Sequence, residues 1–246
     1  MMCRCATRDA LTSGALRQAP RLVDVMDEQP VAWRGGLVVI RSGVNDFGKK
    51  PALDALAKSP DDPDVLLLID ACVAHVRMAI ELIHERHPET CGILVGILKN
   101  SDWPPYFELW QSPTEQRNLN RGLDHFDNAL RAMADADSRL AFFDDRAWLA
   151  RDWGQRCLDA GLPDYRSLKV RETLSVALSS GDSPNHAILA IGHAGIAWNT
   201  LRSQELVDLV RTQFELPLDI ISDTEVGQSF DAQIAALVML SRPLGS

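Results

Sequence analysis

Three short, unbroken apolar runs constrain this chain more than any other feature. Leu37-Val38-Val39-Ile40 ends in Arg41-Ser42-Gly43, Gly92–Leu98 ends in Asn100-Ser101-Asp102, and Leu140-Ala141-Phe142-Phe143 ends in Asp144-Asp145. A strand wet on one face alternates apolar and polar residues, whereas an unbroken run fits a strand covered on both. The segments between them have helical periodicity. From Asp64 to His87, Ile69, Cys72, Val76, Ile80 and Ile83 recur at three and four, with Pro63 and Pro88 bracketing the pattern. Ser112-Pro113-Thr114-Glu115 is a capping box with proline at the first helical position, ahead of a stripe of Leu119, Leu123, Phe126, Leu130 and Met133. A third helix, about 200–214, would bury Leu206, Val207, Val210 and Phe214.

Strands alternating with such helices predict an α/β fold, a three-layer α/β/α sandwich with a mostly parallel, flavodoxin-like sheet. Alternation changes to period two around Leu168, Val170, Leu174, Val176 and Leu178, which predicts a β-hairpin over about 165–178. No internal repeat or Gly/Ser-rich linker divides residues 1–246, so a single domain is expected, with an apolar, helix-like tail from Ala232 to Leu240 and a frayed end beyond it.

Composition narrows the functional classes. Of 246 residues 46% are hydrophobic, and no apolar run approaches the length of a membrane span, so no membrane insertion is expected. The net charge of −9 and the absence of a basic run argue against a nucleic-acid partner. Five scattered cysteines give no metal-ligand spacing, and Cys72 and Cys91 sit in apolar runs as small core residues. Asp144-Asp145 lacks a third ligand at matching spacing. Neither a metal nor a cofactor is expected. Arg8 and Asp9 stand where a secretion signal needs its apolar stretch, so the chain reads as cytoplasmic.

Two places carry candidate chemistry. In an open α/β sheet, ligands bind beyond the carboxyl ends of the strands. The first run delivers Gly43-Val44-Asn45-Asp46 there, where a glycine permits a sharp turn and an Asn amide can donate to an oxyanion. The plainer reading is an Asx turn or a cap for the next helix. Further on, Gly192-His193-Ala194-Gly195 sets a histidine on a glycine-flanked loop, a suitable place for a general base. His75, His84 and His87 share one helix, His125 lies on another, and His186 follows a turn-like Ser183-Pro184-Asn185.

Together these segments resemble blocks III and V of the SGNH (GDSL-type) hydrolases, a family of serine esterases. The text Val38–Asp46 is close to block III, His193 stands roughly 150 residues later before a C-terminal helix, and Ala6–Leu11 resembles the text that follows the block II glycine. The likeness runs from about residue 6 to 214. It implies hydrolysis of a small carboxylic ester through an acyl-serine, with Asn45 as oxyanion donor, His193 as base, and Gly43 and Asp46 shaping the loop. The chain departs from the family in three ways. No Gly-Asp-Ser block precedes residue 6, Cys5 stands near the block II glycine, and Ala190 occupies the place of the acid three residues before His193. Gly181-Asp182-Ser183 repeats the nucleophile tripeptide, but Pro184 follows at once in an ordinary turn composition. The alternative is a non-catalytic remnant or binding module derived from such an esterase. The absent front would leave Leu37–Ile40 as an apolar sheet edge and suggests an upstream portion bearing the serine, in which case the protein would be secreted or periplasmic. The sequence reveals neither the acyl and alcohol groups nor the oligomeric state.

Overall fold

The computed structural model describes residues 14–156, 163–171, 174–216 and 218–240. Within them the chain is a mixed α/β protein with seven α-helices, one parallel three-stranded sheet and smaller sheets. Ala6–Leu11, Cys3, Cys5 and the tail beyond Leu240 lie outside the described residues. The chain divides into two compact units. The first comprises residues 14–100 and 110–148, and the second comprises 101–109, 149–156 and the described residues from 163 onward.

In the first unit, α1 (Gly14–Glu28) precedes β1 (Leu37–Arg41). From β1 the chain passes through α2 (Lys50–Lys58) and α3 (Pro63–Arg86) into β2 (Cys91–Val95), and then through α4 (Pro113–Ala136) into β3 (Leu140–Phe143). β2 lies between its two neighbours in parallel register, with Val39 facing Ile93 and Ile93 facing Ala141. The capping box forms in full: the Glu115 amide donates to Ser112 Oγ at 3.2 Å and the Ser112 amide to Glu115 Oε2 at 3.0 Å. α3 starts on Asp62, whose carboxylate accepts the Val65 amide at 3.1 Å. α1 packs on α3 through Val23, Met26 and Ile83, and Asp27 pins the end of α3 through Arg86 and His87.

Two details differ from the sequence expectation. The second apolar run reaches Leu98, but its ladder stops at Val95 because the Ile97 amide donates to Asp127 Oδ1 at 2.8 Å instead of to a neighbouring strand. Ile97 and Leu98 stay buried all the same. β1 is not covered on both faces: Leu37 is 36% and Val39 45% exposed. Among the described residues β1 pairs with β2 alone, so its other edge is open. A cleft of about 350 Å³ runs beside it between α1 and α3.

α5 (Asp145–Trp153) begins in the first unit and ends in the second. Its end is dictated by Gly154, which has φ +85° and on which a Cβ would stand 2.0 Å from the Asp164 carbonyl. That close approach lets β4 (Gly154–Arg156) pair antiparallel with β5 (Pro163–Tyr165). The expected hairpin is present as β6 (Leu168–Arg171) against β7 (Leu174–Ser180), and β7 also pairs in parallel with β8 (His186–Ile188). Two helices follow, α6 (Ile196–Gln213) and α7 (Asp223–Leu240). The core of this unit holds Trp153 and Trp198 stacked at 5.3 Å, with Trp153 Nε1 donating to the Val176 carbonyl at 3.1 Å. No helix among the described residues is long and apolar enough to cross a membrane.

Candidate functional site

At the carboxyl end of β1 the chain must turn at once, and Gly43 makes this possible. Its φ is +92°, and a Cβ there would lie 2.7 Å from the Phe47 ring. Any L side chain at this position meets both backbone strain and a clash. The Gly43 carbonyl accepts the amides of Asp46, Phe47 and Gly48 at 3.0, 3.0 and 3.2 Å, closing a tight turn. Phe47 anchors it, fully buried and 5.1 Å from the Phe126 ring. Asn100, just past β2, ties the turn from the other side by donating from Nδ2 to the Gly48 carbonyl at 2.5 Å.

Phe47 points inward, and Asn45 and Asp46 are exposed. Asn45 makes no side-chain hydrogen bond among the described residues, and α2 starts after Lys49, which gives no side-chain cap. Asn45 is therefore not the helix cap that its residue type allowed, and its amide is available to a ligand. Asp46 faces Cys72. Burial, and after it the Asp46 charge, pushes the Cys72 thiol up to about 12, so it stays protonated and inert as a core residue.

The other strand ends are occupied by structural ion pairs. Asp127, 2% exposed, accepts the Ile97 amide and holds Arg146 at 2.6 Å, while Asp124 takes the same guanidinium at 2.7 Å. Burial raises the Asp127 carboxyl pKa, and Arg146 and the Ile97 amide pull it back. Asp144 caps α5 by accepting the Ala147 amide at 2.9 Å and pairs with Arg131, while buried Asp145 pairs with Arg41 at 3.2 Å. The described residues hold no cluster of three His, Cys, Asp or Glu side chains suited to a metal.

His193 lies in the second unit, on the turn between β8 and α6. Gly192 (φ +80°) opens the turn, the Leu189 amide donates to the His193 carbonyl at 2.7 Å, and the Gly195 amide donates to the Ala187 carbonyl at 2.7 Å. A Cβ on Gly195 would meet that carbonyl at 2.9 Å, so this glycine is required by packing. Trp103 supports the turn by donating from Nε1 to the Gly192 carbonyl at 3.0 Å, its ring set edge-on against Trp198 at 5.4 Å. The imidazole itself is exposed and has no hydrogen bond among the described residues. Fully buried Arg156 donates to the carbonyls of Tyr106, Phe107 and Leu109, and the Tyr165 hydroxyl donates to Asp102 at 2.8 Å. The proline-rich loop is thus clamped through its backbone carbonyls by the Arg156 guanidinium.

Ser183 is exposed in the turn between β7 and β8, where its carbonyl accepts the His186 amide at 3.1 Å. Its neighbour Asp182 accepts the Ala190 amide at 3.2 Å, so a carboxylate is bound at the backbone of Ala190. The serine that meets an imidazole is Ser179, whose Oγ lies 2.8 Å from His186 Nδ1. A hydroxyl on an imidazole is the first requirement of a serine nucleophile. The sequence hid this pair because 183–186 has turn composition, so His186 did not read as the start of a strand beside β7. Asn45 belongs to the first unit, and Ser183 and His193 belong to the second.

No family model, no curated protein and no solved structure matches the chain.

Proposed function

We propose that the chain is a carboxylic ester hydrolase of the SGNH type, its parallel sheet the middle of a three-layer, flavodoxin-like sandwich. In this reading His193 takes the proton from a serine hydroxyl as Oγ attacks the ester carbonyl carbon. The imidazolium then returns the proton to the departing alcohol, and the resemblance gives the Asn45 amide the role of oxyanion donor. Water, activated by the same imidazole, then releases the acid from the acyl-serine. Two serines of the second unit compete for the nucleophile's role: Ser183, marked by Gly181-Asp182-Ser183, and Ser179, already hydrogen-bonded to His186.

The observation that carries this reading is Asn45, an exposed amide that makes no side-chain hydrogen bond among the described residues, on a glycine turn at the carboxyl end of a parallel strand. Its test is turnover of chromogenic short-chain esters. Hydrolysis above the buffer rate is expected, with kcat falling about a hundredfold in Asn45→Ala and KM little changed, as for loss of an oxyanion donor. A second reading, a non-catalytic relative on the same plan, is favoured by Ala190 at the acid's place and by the His193 ring, which has no hydrogen bond among the described residues. Wild-type turnover equal to buffer would establish that second reading.

A further inference from the structure

A small-molecule pocket is usually an apolar cleft with a few polar groups placed to fix orientation. The cleft of about 350 Å³ beside β1 has that make-up and lies wholly within the first unit. Its α1 wall is one helical stripe from Ala15 through Leu22 to Val25, so the cleft follows the helix for about 15 Å. That volume spread over that length is roughly 5 Å across, the width of one unbranched hydrocarbon chain in contact with its walls. Val38 and Leu22 pack against Val23, Met26 and Ile83, which makes the walls near the start of β1 apolar. The polar groups come from earlier on α1 and later on β1: Gln18, Arg21 and Arg41, all exposed. Arg41 also holds Asp145 at 3.2 Å, with 36% of its side chain exposed. A guanidinium has five N–H donors and can serve a second partner as well. Among the described residues no Asp or Glu lines the cleft.

We infer that this cleft binds a single-chain amphiphile with one anionic head, a medium-length carboxylate. Its chain lies between α1 and β1 over Ile83, and its head sits at Arg21 and Arg41. The narrow, elongated shape selects an unbranched tail. The charges select the head, because both ionic groups lining the cleft are cationic and guanidinium–carboxylate hydrogen bonds are charge-assisted. The site uses neither Asn45 nor His193, so it stands whether or not the chain hydrolyses esters.

Isothermal titration calorimetry of the full chain with hexanoate, octanoate and decanoate, each below its micellar concentration, tests this. One site per chain is expected, with affinity rising about fourfold for each added methylene, the worth of burying one CH₂ group. Decanol and decyltrimethylammonium bind about tenfold more weakly than decanoate, or less. Val25→Asp, at a position 40% exposed, keeps the fold by circular dichroism and abolishes decanoate binding by setting a carboxylate beside the chain. Arg21→Gln weakens decanoate about tenfold and leaves decanol unchanged. Absence of decanoate binding would overturn the inference. So would an affinity independent of chain length, which would mark ion pairing at the surface alone, or decanoate binding that Val25→Asp leaves intact.

Discussion

His193→Ala is expected to lower ester hydrolysis by roughly 10²–10⁴-fold, the usual contribution of a general base, while leaving stability within about 0.5 kcal/mol. The two effects separate because of how the turn is built. Its bonds run through the backbone: Leu189 to the His193 carbonyl, Gly195 to the Ala187 carbonyl, and Trp103 to the Gly192 carbonyl. None uses the imidazole, which is exposed. Activity followed with short-chain esters and stability followed by urea unfolding therefore report different things. His186→Ala is the informative companion. Hydrolysis lost in that variant and kept in His193→Ala would move the base to the Ser179–His186 pair, against the role assigned to His193.

Asp127→Ala is expected to destabilise the first unit by about 3–5 kcal/mol, the cost of breaking a buried ion pair from one side. Three losses coincide. Arg146, 17% exposed in its side chain, keeps only the half-exposed Asp124 as a carboxylate partner. The Ile97 amide, which ends the β2 ladder, loses its acceptor. A void opens against Gly96, where a Cβ would already stand 2.9 Å from Asp127 Oδ1. Against a total folding stability of about 5–15 kcal/mol, this is a large fraction. Asp127→Asn retains an acceptor for Ile97 and costs less. Urea unfolding measures both variants; a loss below about 1 kcal/mol for Asp127→Ala would mean that Arg146 recovers its hydration in the folded state.

The sequence made the first unit's frame readable because its signals are local. Unbroken apolar runs marked β1, β2 and β3, and the Ser112–Glu115 capping box marked the start of α4. Features that depend on distant partners left no such local signal. α1 carries Pro20 in its interior, a residue that argues against a helix on propensity, yet Ala19, Val23 and Met26 give it a buried face. β4 and β5 are three residues each and owe their pairing to Gly154, whose role appears only when the Asp164 carbonyl arrives. The end of β2 moved because a side chain from α4 took a backbone donor.

The candidate site was legible to a similar degree. Gly43 and His193 stand on turns, as their neighbouring glycines implied, and Asn45 is exposed, with no side-chain hydrogen bond among the described residues. Ser179 gave no signal, since its partner depends on the register of β8 beside β7.

Labelling with a fluorophosphonate, followed by mass mapping of the adduct, tests the esterase reading most directly, because the reagent reports an activated serine and identifies it. The account predicts a single adduct on the peptide that spans Ser179 and Ser183. Complete absence of an adduct, or one confined to a serine outside that peptide, would contradict it.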